Sequence, residues 1–193
     1  MAVAKAKSSC HGLLDPIAHH GSADGWRMFT LVVLLAGANP FDTINGLPVH
    51  ALVVHAVVVL VPLSALGAIG MALVPKWSVR FGVLVWPLAL IATGFAFVAD
   101  KSGKQLALRV GKPMPHAELG EQMKYFAAAL AVVTFVLWFV DRRATGRRSV
   151  LTKILAVIVI AVALVSCVWI YRVGDSGAKA VWTTIIQNTT PKQ

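Results

Sequence analysis

The chain has 193 residues, 58% hydrophobic and 13% charged, against roughly 25% charged in soluble domains, and its mean hydropathy is +0.75. This composition excludes an ordinary water-soluble domain and makes lipid the main solvent. The net charge of +10 falls in short loops rather than along one basic stripe. It therefore reads as a determinant of topology and of contact with anionic lipid, and excludes a nucleic-acid-binding module.

Residues 1–40 read as a tail or extension. The first 25 mix Lys, Ser, His, Asp and Gly without periodicity. His11, His19 and His20 lie there and read as solvated histidines rather than a fixed metal constellation. The apolar run at 28–38 is about half a span and leaves three readings open: an interfacial helix, a re-entrant piece, or the core of a signal peptide. Ala36, Gly37 and Ala38 fit a cleavage site, and Arg27 precedes the run, while Asp15 and Asp24 count against a signal.

The first full span is expected at about 47–74. Pro48 sits where a helix start tolerates it, and Pro62 falls mid-span and predicts a kink. Ser64, Ala68 and Ala72 recur at four-residue spacing beside Gly67 and Gly70, a small-residue face that lets another helix approach closely. Lys76, Trp77 and Arg80 form a basic, aromatic boundary. A second span is expected at 81–99, with Pro87 an early kink and Asp100 its far end.

A polar link follows at 101–124. Ser102 to Gln105 match a capping box, predicting a short separate helix to about Val110 with Gly111 as its stop. Pro113 and Pro115 break the chain. His116 then opens the next helix, with Glu118 and Glu121 near its positive end. The third span is expected at about 125–140, followed by the densest basic loop, Arg142, Arg143, Arg147 and Arg148. The fourth, rich in Val and Ile, is expected at about 151–171, with Trp169 and Tyr171 as interface anchors. Gly174 to Gly177 read as a turn and cap before a short surface helix, and 183–193 as a C-terminal tail. Cys10 and Cys167 fall in environments that argue against a disulfide, and their spacing offers no zinc pair.

The basic loops place the 76–80 and 142–148 ends in the cytoplasm and both termini outside. His50, His55, Asp100, His116, Glu118, Glu121 and Asp175 then gather on the outer side. Ionisable groups at membrane depth are costly and mark functional candidates. For His55, one reading is packing, through a bond to a neighbouring helix carbonyl or to Asp100. The other is a haem or metal ligand, or a proton carrier at a quinone site. His50 reads as a boundary residue or as a ligand. The two lie about 140° apart on a helix, so a chelate from this helix alone is disfavoured, and a haem would pair His55 or His50 with His116. Asp100 is either a helix-end charge or a partner of a histidine or Lys101. The candidate cofactor-binding residues are thus His50, His55 and His116, for haem b or a metal ion, with Asp100 added for a metal. No phosphate loop, nucleophile elbow, zinc-protease helix or dinucleotide fingerprint is present, which leaves enzymatic activity open.

From Leu47 to His55, the sequence LPVHALVVH resembles the start of the predicted bacterial membrane proteins grouped as domain of unknown function 2231. Thr93 and Gly94 late in the second span, and His116 in HAELG, are similar to the same family. The stretch from Tyr171 to Trp182 resembles its actinobacterial branch. The resemblance covers about 41–182 and implies an all-α, four-helix transmembrane bundle with histidines on one side, in the bacterial cytoplasmic membrane. It implies no activity. Two functions are weighed: a redox-associated protein with haem or metal on the outer histidines, and a non-enzymatic accessory subunit docking into a homo-oligomer or larger membrane complex through the small-residue face. A transporter comes third, since paired broken helices with midplane charges are not evident.

Overall fold

The computed structural model of the protein describes residues 40–144 and 147–189. The 28–38 run, the tail histidines and Cys10 lie outside the described residues. Four helices make up the bundle: α1 (Val49–Leu73), α2 (Pro75–Val110), α3 (His116–Arg143) and α4 (Val150–Gln187). All four are long and apolar enough to cross a membrane. Each packs against the next, and α4 closes back onto α1. α1 and α2 are joined through Val74 alone. Pro75 lacks an N–H and sits at the first turn of α2, and its ring forces Val74 out of the helical region to φ −120°, which reverses the chain.

Two apolar clusters fill the interior. One joins Ala65, Ala68, Met71 and Ala72 of α1 to Leu130 and Leu137 of α3 and to Ala156, Val159 and Ala163 of α4. The other joins Val57 and Val61 to Ala92, Ala96, Met123, Ala127 and Ile170. The small-residue face of α1 is thus spent inside the bundle: Ser64, Ala68 and Ala72 are buried, Gly67 abuts Val85, and Gly70 abuts Trp77. The tightest helix approach is at Gly82, where a Cβ would stand 2.0 Å from the indole of Trp138. Trp138 in turn stacks on Trp86.

Several local expectations are corrected. The predicted separate helix at 102–110 is the last part of the single 36-residue α2. Ser102 caps nothing; it is buried and its hydroxyl donates to the Ala99 carbonyl at 3.2 Å. The chain does stop at Gly111, which takes φ 86°. α4 runs through Gly174 and Gly177 to Gln187. Two helical glycines cost about 1 kcal/mol each, and burial of Val173 and Ser176 against the bundle offsets that cost. Trp169 does not serve simply as an interface anchor, since its N–H donates to Leu119 O on α3 at 3.0 Å. Nor is Arg148 a free loop charge. It pairs with buried Asp141 and donates to Met71 O and Ala72 O, the orphan carbonyls at the end of α1.

The sequence reading also missed a small hairpin, β1 (Thr43–Ile44) with β2 (Leu47–Pro48). Asn45 (φ 51°) and Gly46 (φ 80°) form its two-residue turn, the Asn-Gly pairing that favours such turns. Arg109 of α2 pairs with Asp42 just ahead of the hairpin, and the Val49 amide donates to Asp42 O at 3.0 Å.

Candidate functional site

At the hairpin end of the bundle, all four helices converge on two imidazoles. His50 is in the first turn of α1 and His116 opens α3. Their ring centroids are 6.2 Å apart and their planes inclined at 73°. His50 Nδ1 lies 3.0 Å from Ala99 O of α2. His116 Nδ1 lies 3.1 Å from Val173 O of α4 and 3.3 Å from Ser176 Oγ, and the Ser176 hydroxyl donates to Val173 O. A backbone carbonyl only accepts, so each ring carries its hydrogen on Nδ1. In the neutral tautomer, Nε2 is left as a bare lone pair.

The space for both rings is made by glycine. A Cβ on Gly103 would stand 3.1 Å from Cε1 and Nδ1 of His50, and one on Gly177 would stand 2.9 Å from Cε1 of His116. α2 and α4 therefore each contribute a carbonyl to hold an imidazole and a missing side chain to seat it.

Asp100, next in sequence to the carbonyl that holds His50, pairs with neither a histidine nor Lys101. It bonds Lys124 of α3 at 2.8 Å, with both side chains about nine-tenths buried, and Lys104 at 3.3 Å. Lys104 reaches on to Glu121 at 2.9 Å. The four-residue spacing puts Lys104, and not Lys101, on the face of Asp100. His55 stands apart from the pair. It is exposed, and its Nδ1 meets Ala51 O of its own helix rather than a neighbouring helix or Asp100. The structure thus brings His50 and His116 together and leaves His55 and Asp100 in other company. Among the described residues no group of three or more His, Cys, Asp or Glu converges, so what the site offers is two imidazole nitrogens.

The partners that sequence reasoning missed are the Ala99 and Val173 carbonyls, Gly103, Gly177, Ser176 and Lys124. A carbonyl has no sequence signature. A glycine inside a helix can mark a close approach, as Gly67, Gly82 and Gly177 do here, whereas Gly94 and Gly174 meet nothing.

A family profile described as "Predicted membrane protein (DUF2231)" matches residues 46–190. That is well over half of the chain, and the chain belongs to this family. No curated protein matches it, and no solved structure does.

Proposed function

We propose that this member of the family holds one metal centre, as haem iron or as a bare ion, between His50 and His116, and that it serves a redox process at the membrane. The observation that carries the reading is the pair of carbonyl-anchored imidazoles. Histidines that ligate metals commonly donate their other ring N–H to a carbonyl or carboxylate, which fixes the tautomer and aims the free nitrogen. The two rings also lie near enough to share one centre, with their centroids 6.2 Å apart. Two protein ligands suit haem iron, whose remaining positions belong to the porphyrin; a bare ion would complete its shell with water. Such a centre would supply one-electron chemistry when bound. The chain's part is to hold the two nitrogens and keep their tautomers.

The proposed setting is a bacterial cytoplasmic membrane, with the histidine end on the outer side. Its support is the group Lys76, Arg80, Arg142, Arg143 and Arg147 at the opposite end. The accessory-subunit reading loses one of its supports, because the small-residue face of α1 is buried among the protein's own helices.

The test is an optical spectrum of protein purified from its native membranes, oxidised and then reduced, with metal analysis of the same sample. A haem band, or one metal per chain without a band, is expected, and either signal disappears in His50→Ala and His116→Ala but persists in His55→Ala. Absence of both haem and stoichiometric metal rejects the proposal.

A further inference from the structure

At the end of the bundle away from the histidines, an apolar groove of about 320 Å³ lies between α1 and α2. Its walls include Leu66, Gly67, Gly70, Trp77, Phe81 and Leu84. Leu66, Trp77 and Leu84 are exposed, and in a bundle that crosses a membrane their surroundings are hydrocarbon. Gly67 and Gly70 add no side chain to the floor; each already lies against an α2 side chain, Val85 and Trp77 respectively.

Charge stands at the rim of this groove. The Arg80 guanidinium is 5.4 Å from the centroid of Phe81, one of the walls. Lys76 precedes Trp77, another wall, and is exposed. Neither cation has a carboxylate partner among the described residues. The acidic residue at this end is Asp141, and Arg148 holds it. Asp42, Asp100, Glu118, Glu121 and Asp175 all belong to the histidine end. At that end the cations Lys104, Arg109, Lys124 and Lys179 are neutralised by those carboxylates. The basic end thus presents Lys76 and Arg80 unpaired beside an apolar slot, while at the histidine end most cations are paired and Lys101 and Lys112 are not, among the described residues.

We propose that this groove is a binding site for one anionic phospholipid, with an acyl chain between the exposed Leu66 and Leu84 side chains and the phosphate between Lys76 and Arg80. The apolar walls match the chain, and the unpaired cations match the headgroup. Basic residues at the cytoplasmic end of transmembrane helices recognise anionic headgroups in this way, and aromatic side chains mark the interface.

Native mass spectrometry of the full chain, released from micelles holding equal phosphatidylglycerol and phosphatidylcholine, tests the site. One phosphatidylglycerol per chain is expected to be retained, with roughly thirtyfold preference over phosphatidylcholine from two cations. Lys76→Gln with Arg80→Gln brings the preference to near parity. Leu84→Trp fills the groove while leaving the cations, and abolishes the retained lipid. Lys112→Gln, at the histidine end, changes nothing. All three variants alter exposed side chains, and unchanged helical circular dichroism checks their folding. Equal retention of the two lipids overturns the proposal. So does a preference that survives either the charge variant or Leu84→Trp, a bound mass of phosphate alone, or a second copy of the chain in place of lipid.

Discussion

An imidazole is useful as a ligand only when one nitrogen is fixed and the other is free, and here a missing methyl group does part of the fixing. Gly177 is the sharper case, because a Cβ there would come within 2.9 Å of His116 Cε1. Gly177→Ala must push the ring away from Val173 O, and overpacking of this kind costs about 1–3 kcal/mol. On the proposed metal centre it would also loosen the contact that aims a ligand, for which losses of about 10–100-fold in metal affinity are typical. The expected result is a lower thermal midpoint together with a weaker metal or haem signal. Gly174→Ala, where a Cβ meets nothing within 4 Å, leaves the signal intact. If both variants behave alike, the cradle plays no part in the site. Of the residues in this cradle, His50 and His116 were legible as candidates at the outer boundary, although the cost of a histidine at membrane depth pointed first to His55, which stands apart. The Ala99 and Val173 carbonyls were not, since the sequence does not say which helix faces which.

The same contrast runs through the elements. Four apolar segments of spanning length are a property of each stretch alone, so the bundle was readable before any packing was known. Helix ends were readable where glycine or proline sets them, as at Gly111 and His116, and not where tertiary contact overrides local chemistry. Ser102 looks like a cap yet is buried mid-helix, and Gly174 and Gly177 look like a stop yet lie within α4. The Asn45–Gly46 turn was written locally and went unread. Its hairpin is tied to α2 by Asp42 and Arg109, whose guanidinium holds the Asp42 carboxyl below its ordinary 3.8. A carboxylate whose pKa falls on folding adds stability above the unfolded value and loses it as pH drops through the lower folded value. The tether is therefore constant from neutral pH down to about 5 and released below about 3.8. Hydrogen exchange at the Val49 amide, which donates to Asp42 O, reports this. Its protection, corrected for intrinsic rate, stays flat at neutral pH and falls in strong acid. Asp42→Asn removes the step; a step that persists in that variant belongs to other carboxylates.

Among the described residues, the ion pairs sit at the two ends of the bundle and a largely apolar seam joins them. At one end the histidine pair and the Asp100–Lys124 bridge draw all four helices together. At the other, Arg148 gathers the end of α1, through Met71 O and Ala72 O, to Asp141 of α3. The Arg148 and Asp141 side chains are 8% and 3% exposed, so the pair cannot fall back on water when one partner goes. Removing one member of such a pair costs about 3–5 kcal/mol, and Arg148→Met also strips the donors from two helix-end carbonyls. Its thermal midpoint in detergent is expected to fall further than that of Gly177→Ala, and a second change, Asp141→Leu, restores part of the loss by removing the stranded charge. The two clasps lie about 32 Å apart along α1, from His50 to Met71 at 1.5 Å per residue, with no residue in common. The costs of Arg148→Met and Gly177→Ala should therefore add to within about 0.5 kcal/mol. A clear excess in the double variant would mean that α1 transmits strain along its length, so that loosening the basic end also shifts the histidines. In that case the metal or haem signal of Arg148→Met alone would already be weakened.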